Sequence, residues 1–352
     1  MIKKLSVILL TGLVIVLLAG CQTNSMDAVS ANSSTRIFID STGREVEVPI
    51  DIERVAISGA LTEIAALPLC EKEMVGIPSP WDDYSKKFIN PDLLNLPTIG
   101  TLYGGRGDLN VETLLSLNPD VVIDIGEGKN SAREDMDRLS NTTGIPFVHI
   151  EVSLSTLPQG YRKLGELLNK PEEAEQLALY CENIYNEMTD LSKRIEKVNG
   201  LLIFSVSDIS VIPKGSYHAE AFDLLADNVA LIDHPSAKGT GNEVDIEQLY
   251  NWNPDIIVLS AGETLENTVD KEAWNALSAV SNNRVYTIPG SPYNWMGFPP
   301  SVQRFLGMMW MADTFYHEEW GCDLYERVNE YFKLFYHCNL TKEQFDELMA
   351  GE

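Results

Sequence analysis

One thirteen-residue pattern occurs twice, and it restricts the possible folds more than any other feature of the sequence. Residues 111–123 read VETLLSLNPDVVI and residues 246–258 read IEQLYNWNPDIIV, 135 residues further along the chain. Each copy predicts a short helix that ends at Asn-Pro-Asp and is followed directly by a buried strand. The spacing is too long for a solenoid repeat and suits two similar lobes.

Apolar runs of strand length alternate with longer stretches of helical periodicity across the whole sequence. The runs lie at residues 55–57, 121–123, 147–150, 201–204, 256–259 and 285–288. This alternation predicts an α/β fold in which two similar lobes have mainly parallel sheets. In such a fold the ligand clefts lie beyond the carboxyl ends of the strands. With 352 residues, 44% of them hydrophobic, the chain can form two cores.

A long amphipathic segment separates the two copies of the repeat. From Pro171 to Val198 the sequence is almost free of Gly and Pro, and its apolar residues recur every three or four positions. Pro171 suits the first helical position, and Asn199-Gly200 supplies a stop signal. We therefore expect one long helix that joins the lobes.

The N-terminus has the pattern of an export signal. Lys3 and Lys4 precede an apolar run that ends in Leu18-Ala19-Gly20-Cys21. Leu-Ala-Gly-Cys resembles the lipobox of bacterial lipoproteins, in which the Cys thiol is diacylated and becomes the new N-terminus. The alternative is an uncleaved signal anchor that happens to contain a Cys. The lipobox predicts an extracytoplasmic protein anchored to the cell membrane, with the bilayer as one partner.

Six segments follow from these patterns. They are a signal peptide at 1–20, a flexible tether at 21–35, an N-terminal α/β lobe at 36–170, an interlobe helix at 171–198, a C-terminal α/β lobe at 199–315 and a helical C-terminal extension at 316–352.

Charge and motif content exclude several function classes. The chain has 26 Lys and Arg against 52 Asp and Glu, a net charge of −26, so nucleic acid is an unsuitable partner. Residues 126–131 lack the upstream Gly and the hydroxyl residue after Lys129 that a phosphate loop requires. We find no zinc-protease motif and no nucleophile elbow, and we expect neither catalysis nor a cofactor. Cys322 and Cys338 could form a disulfide or remain separate thiols.

Further motifs occur in a characteristic order around the repeat. They are Arg54–Glu63, Glu73–Ile77, the two Pro-Asp copies, Thr143–Val148, Pro292–Trp295 and Pro299–Ser301. In this order the chain, from about residue 36 to 315, resembles the solute-binding proteins of ABC importers for ferric siderophores, haem and vitamin B12. The resemblance implies two lobes hinged on a rigid helix, a ligand held between them, and a permease dimer as partner. We expect a monomer.

Glu112 and Glu247 occupy the same position in the two copies of the repeat. In the family that the chain resembles, a Glu at this place in each lobe docks onto Arg residues of the two permease subunits. The resemblance therefore implies that Glu112 and Glu247 contact the permease. A carboxylate in a first helical turn also stabilises the helix through its dipole, and the two roles are compatible.

Loops that follow the predicted strands supply the candidate ligand-binding residues. Aromatic side chains provide rigid contact area, and Arg106 with Lys129 could neutralise an anionic ligand. Tyr217 or His218 could ligate haem iron or a bare metal, although each of these side chains could instead have only local structural partners. The full set is Trp81, Tyr103, Arg106, Lys129, Tyr217, His218, Tyr293, Asn294 and Trp295.

Three hypotheses for the function follow, two of which differ only in the ligand. The first is a ferric siderophore or a related metal chelate or tetrapyrrole. The second is a metal oxyanion such as molybdate or tungstate, held by backbone N–H groups and by Arg106 or Lys129. The third is a chelatase-like enzyme on a similar two-lobed fold, against which the lipobox and the absence of Cys or His ligand sets argue.

Overall fold

Two sheets form the framework of the molecule, a parallel one before a long helix in the sequence and a mixed one after it. The computed structural model describes residues 34–103, 108–236, 239–268 and 270–351. The predicted signal peptide, Cys21 and the tether as far as residue 33 lie outside the described residues. Within those ranges, no helix is both long and apolar enough to cross a membrane.

The N-terminal lobe is built on a three-stranded parallel sheet. A preceding hairpin consists of β1 (Thr35–Ile39) and β2 (Glu45–Pro49). The sheet has the order β3 (Val55–Ile57), β4 (Val121–Gly126) and β5 (Phe147–Glu151). Its helices are α1 (Ala60–Cys70), α2 (Val111–Ser116), α3 (Ala132–Thr143) and α4 (Leu157–Leu168).

The interlobe helix, α5 (Pro171–Arg194), is four residues shorter than the sequence pattern predicts. Ile195 is extended, and Val198 begins the first strand of the C-terminal lobe. Asn199-Gly200, interpreted above as a stop signal, instead lies inside that strand. Gly200 is required there because a Cβ atom would come within 2.8 Å of the Phe222 ring.

The C-terminal lobe has a six-stranded mixed sheet. Its strands are β6 (Val198–Ser205), β7 (Ser210–Val211), β8 (Ala226–Asn228), β9 (Asn242–Glu243), β10 (Ile256–Leu259) and β11 (Val285–Thr287). β8, β10 and β11 extend the sheet in parallel from β6, whereas β7 and β9 pair antiparallel. The helices are α6 (Glu220–Leu225), α7 (Ile246–Trp252), α8 (Lys271–Asn275), α9 (Ser278–Ser281) and α10 (Arg304–Trp320).

The inner strands β4 and β10 are buried on both faces. Along β4, Ile123 packs into the large core shared by both lobes, whereas Val122 packs into a separate cluster on the opposite face. β10 alternates in the same way between Val258 and Ile257. Parallel strands covered on both sides read as continuous apolar runs, which explains why the sequence signals them clearly.

The two copies of the repeat have the same local structure. Asn110 and Asp245 cap α2 and α7 by accepting hydrogen bonds from backbone N–H groups in the first turn. Asn118 and Asn253 follow the helices with φ values of 44° and 39°, a left-handed conformation that Asn tolerates well. Each helix then leads directly into an inner strand of its sheet. The two-lobed α/β fold predicted from the sequence is thus present.

A helical extension follows the C-terminal lobe. α10 runs on to Trp320 past a kink at Tyr316, so the predicted boundary at residue 315 falls inside a helix. α11 (Leu324–Phe335) and α12 (Lys342–Ala350) come next. Phe332 on α11 packs edge-on against Phe88 of the N-terminal lobe, with centroids 5.2 Å apart. From Thr35 onwards the chain forms one compact unit, and Cys322 and Cys338 are free thiols.

Candidate ligand-binding cleft

The two lobes meet where the loop after the parallel strand β5 contacts residues 217–220, which follow the short antiparallel strand β7. In the loop after β5, the Val152 carbonyl accepts a hydrogen bond from the Tyr217 hydroxyl at 3.0 Å. Two residues later, the Leu154 N–H donates to Glu220 Oε2 at 2.9 Å. These contacts bring the carboxyl-end loops of the N-terminal sheet against residues 217–220 of the C-terminal lobe, the location that a parallel α/β sheet favours for a ligand site.

His218 lies beside this junction, and one of its ring nitrogens makes a hydrogen bond to the backbone. Its Nδ1 is 2.7 Å from the Gly297 carbonyl oxygen. Because a carbonyl can only accept a hydrogen bond, Nδ1 carries the proton, and the Nε2 of the neutral ring has a free lone pair. Burial lowers the pKa of His218 below its usual value, and Arg304 and Lys129 lower the pKa further. At neutral pH, His218 is therefore an uncharged imidazole with Nε2 as an acceptor.

Half-buried aromatic rings lie beside His218. The Phe298 ring stacks nearly parallel to the imidazole, with centroids 5.8 Å apart and an interplanar angle of 18°. Phe204, at the carboxyl end of β6, packs edge-on against Phe298 at 5.1 Å. Neither residue is among the site candidates predicted from the sequence. For Phe204, the available signal was an aromatic residue at the carboxyl end of a strand pattern.

The loop after β4 supplies the charged groups that act on His218 from the N-terminal lobe. Glu127 raises the pKa of His218, whereas Lys129 lowers the pKa, so both lie within electrostatic range of the imidazole. Lys129 Nζ lies 3.9 Å above the Tyr103 ring, and the Tyr103 hydroxyl donates to Asp135 Oδ2 at 2.8 Å. Two sequence-predicted candidates, Tyr103 and Lys129, are thus in direct contact, and Lys129 acts electrostatically on a third, His218.

Tyr217 and Arg304 form a buried support below His218. Arg304 is completely buried, and its Nη1 donates to the Tyr217 carbonyl at 3.0 Å and to Glu220 Oε2 at 2.7 Å. Burial raises the pKa of the Tyr217 hydroxyl to about 12, which disfavours a metal-binding phenolate. Because that hydroxyl already contacts Val152, His218 is the better metal ligand of the pair.

Four other candidates make hydrogen bonds within the protein: Trp81, Tyr293, Asn294 and Trp295. Trp295 has no exposed surface, and its Nε1 donates to the Ser291 carbonyl at 3.0 Å. Trp81, only 7% exposed, donates from Nε1 to the Tyr293 hydroxyl at 2.8 Å. This packing leaves neither indole free to line an open cleft.

The side chain of Asn294 holds the loop that contacts His218. Its Oδ1 accepts the N–H groups of Met296 and Gly297 at 2.9 and 3.3 Å, while its Nδ2 donates to Ser260. Gly297 is the residue whose carbonyl holds His218. The amide of Asn294 therefore fixes the loop that orients the imidazole.

The remaining predicted residues lie elsewhere. Arg106 lies outside the described residues. Glu112 and Glu247 are exposed in the first turns of α2 and α7. A cavity of about 250 Å³ lies beside α5 rather than at His218, and it is lined by Leu154, Ser155, Tyr185, Gly215, Ser216, Glu220, Asp223 and Leu224. Among the described residues, no group of three or more His, Cys, Asp and Glu side chains is arranged to hold a metal ion.

Comparison with known proteins gives matches that extend over both lobes. A family described as periplasmic binding protein matches residues 69–292. The molybdate-binding protein MolA of Haemophilus influenzae is 24% identical, over 91% of this chain and 95% of its own length. The Fe(3+)-citrate-binding protein YfmC of Bacillus subtilis is 24% identical, over 81% of this chain and 88% of its own. An ABC transporter solute binding protein from Sulfurospirillum deleyianum superposes with a TM-score of 0.80 at 24% identity, over 90% of this chain and 99% of that one.

Proposed function

This chain belongs to the periplasmic binding protein family, as a solute-binding protein of an ABC importer, and from that premise we propose that it captures an anionic ferric chelate with an open coordination position. His218 supplies the ligand atom from the protein, and the chelate is then delivered to the permease. The Fe(3+)-citrate-binding relative supports this class of ligand.

The proposal is based on the hydrogen bond between His218 and the Gly297 carbonyl. Histidines that bind metals commonly donate the second ring N–H to a backbone carbonyl, which fixes the tautomer and orients the ring. His218 makes this contact with Gly297, and its lowered pKa keeps Nε2 unprotonated at neutral pH. A chelate that brings most of the metal ligands itself needs only one more from the protein, and His218 is a suitable imidazole among the cleft residues that the structure describes.

The surroundings of His218 fit the rest of such a ligand. Phe204 and Phe298 offer apolar area for the organic part of a chelate. Lys129 supplies positive charge from the opposite lobe. An anionic chelate would thus contact both lobes.

A metal oxyanion is the second candidate, because the molybdate-binding relative matches 91% of this chain. An oxyanion accepts hydrogen bonds, so His218 could donate to it from Nε2 only as an imidazolium. A direct contact with His218 therefore requires opposite protonation states of the ring for the two candidates.

The pH dependence of binding separates these ligands. Ferric citrate and molybdate are titrated calorimetrically into the protein and into His218→Asn between pH 5 and pH 8. Asn retains a donor for the Gly297 carbonyl and lacks Nε2. The affinity ratio of the two proteins cancels pH effects on the ligands themselves. For ferric citrate, we expect this ratio to rise with pH and to level off once the pH exceeds the lowered pKa of His218. A ratio that instead rises for molybdate as the pH falls would favour the oxyanion.

His317→Gln serves as the matched control. The side chain of His317 is 72% exposed on α10, and it pairs with Asp313 at 2.8 Å. This substitution removes one imidazole at a distant surface, so neither titration should change. A similar loss of ferric citrate binding in both variants would contradict a specific role for His218.

The termini and the outer surface also have roles in the proposed function. Cys21 carries the lipid anchor, and the protein acts as a monomer. The chain is divided into the six segments predicted from the sequence, with the ends of α5 and α10 corrected as described for the fold. Glu112 and Glu247 contact the two permease subunits. The relatives named above are binding proteins, which supports stoichiometric binding without turnover.

A further inference from the structure

Two large apolar side chains are exposed at equivalent positions of the repeat. Leu115 on α2 is 46% exposed, and Tyr250 on α7 is 40% exposed. The two residues are 135 positions apart, which is the offset of the repeat. Each directly follows the fully buried Leu114 or Leu249, which anchors its helix in the core. The exposed side chains are therefore not needed for the packing that the two helices share.

Each of these apolar side chains accompanies an exposed carboxylate. Glu112 precedes Leu115 by three residues, and Glu247 precedes Tyr250 by three. Residues three apart are neighbours on the surface of a helix. Each lobe consequently presents one negative charge beside one apolar group, in the same order along the same element.

Tyr250 is held in place by its own lobe. Its hydroxyl donates to the Ala273 carbonyl in α8 at 2.8 Å. The hydrogen bond fixes the outer end of the side chain while much of the ring stays exposed. An aromatic group fixed in this way loses little conformational entropy when a partner covers it.

We infer that Leu115 and Tyr250 are the apolar contacts of the permease-docking surface, one for each subunit of a two-subunit permease. The inference rests on the proposed function, because that function assigns Glu112 and Glu247 to the same partner. A partner that matches both lobes must present the same surface twice, with a basic side chain next to an apolar pocket. Charge pairs at such a surface favour encounter and orientation, whereas a buried apolar side chain adds affinity.

The test measures binding of the ligand-free protein to the importer's purified permease dimer in nanodiscs. The variants are Leu115→Ser, Tyr250→Ser and the double substitution. Burial of the exposed part of one such side chain against a partner raises the affinity about tenfold. We therefore expect the affinity for the permease to fall about tenfold in each single variant and about a hundredfold in the double variant. Ferric citrate affinity should stay unchanged, because α2 and α7 lie outside the candidate cleft.

Leu179→Ser provides the matched control. Leu179 is also 46% exposed, but it lies on α5 and has no counterpart in the repeat. We expect this variant to bind the permease like the unmodified protein. A loss equal to that of Leu115→Ser would contradict the inference, because surface polarity alone would then explain the effect. Tyr250→Phe keeps the ring and should keep most of the affinity.

Glu112→Gln in the same assay separates failure of the inference from failure of the proposed docking. If Glu112→Gln weakens binding while Leu115→Ser and Tyr250→Ser do not, the apolar contacts are refuted and the carboxylate contact stands. If none of the variants weakens binding, both the docking surface and the inference are wrong. Circular dichroism melting of each variant ensures that only folded protein is compared.

Discussion

The hydroxyl of Tyr293 donates a hydrogen bond to the buried carboxyl group of Glu63, and this contact joins the two lobes. Trp81 Nε1 in turn donates to the same hydroxyl at 2.8 Å. Burial raises the pKa of Glu63 from 4.5 to about 8, although the Tyr293 hydrogen bond lowers the pKa in part. Glu63 is therefore largely protonated in the folded protein at neutral pH.

This buried carboxyl group makes stability depend on pH. In the unfolded chain Glu63 has an ordinary pKa near 4.5, so folding favours its protonated form between pH 4.5 and about 8. The stabilisation is complete below the lower value and is lost as the pH rises through the higher one. We expect the unfolding free energy of the protein, relative to Glu63→Gln, to fall by up to about 1.4 kcal/mol per pH unit across this range.

Urea denaturation of both proteins at pH 5, 6, 7 and 8 measures the effect. Glu63→Gln is the appropriate reference because it keeps the size of the side chain and cannot ionise. Tyr293→Phe should extend the pH-dependent range upward, since it removes the hydrogen bond that lowers the Glu63 pKa. Parallel pH profiles for the protein and Glu63→Gln would show that Glu63 titrates normally.

The C-terminal extension gives a prediction about stability. Phe332 and Phe88 are both buried, and they join α11 to a loop of the N-terminal lobe. We expect Phe332→Ala to destabilise the protein by about 3–5 kcal/mol. In a double-mutant cycle with Phe88→Ala, the coupling energy should be about 0.5–1.5 kcal/mol. Additive effects of the two substitutions would contradict a direct stabilising contact.

The carboxylates of the repeat give a prediction about transport. Charge reversal by Glu112→Lys or Glu247→Lys should reduce uptake of radiolabelled ferric citrate in cells, because each variant repels the basic groups proposed on the permease. Ligand affinity of the purified variants should not change. Uptake at the level of the unmodified protein would refute the docking role.

Membrane attachment depends on the proposed lipid at Cys21. Cys21→Ser cannot be acylated on sulfur, so we expect the protein to move from the membrane pellet to the soluble fraction after cell fractionation. Two acyl chains suffice for stable anchoring, which makes this change close to complete. Continued sedimentation of Cys21→Ser with membranes would indicate a different anchor.

The elements with continuous apolar character were predictable from the sequence. β4 and β10 are buried on both faces, so their composition alone reveals them, and the repeat correctly places a helix before each. The end of α5 was not predictable in the same way. Asn199-Gly200 has the composition of a helix stop, but Gly200 serves a strand in which the Phe222 ring leaves no space for a side chain.

The candidate site was only partly predictable, for a related reason. The sequence indicates which loops follow strands, but not which of their side chains point into the core. Trp81 and Trp295 satisfy their Nε1 groups inside the protein, whereas the half-buried Phe204 was read only as part of a strand. His218 was one of two adjacent metal-ligand candidates. The contacts of Tyr217 with Val152 and of His218 with Gly297, which are distant in sequence, distinguish their roles.

Coordination of the bound metal by His218 is the central claim, and X-ray absorption at the iron edge of the ferric citrate complex tests it most directly. The spectrum should show one imidazole nitrogen bound to iron in the complex of the unmodified protein. The complex of His218→Asn should show oxygen ligands only. Identical oxygen-only spectra from both proteins, or no binding of ferric citrate by the unmodified protein, would contradict the account.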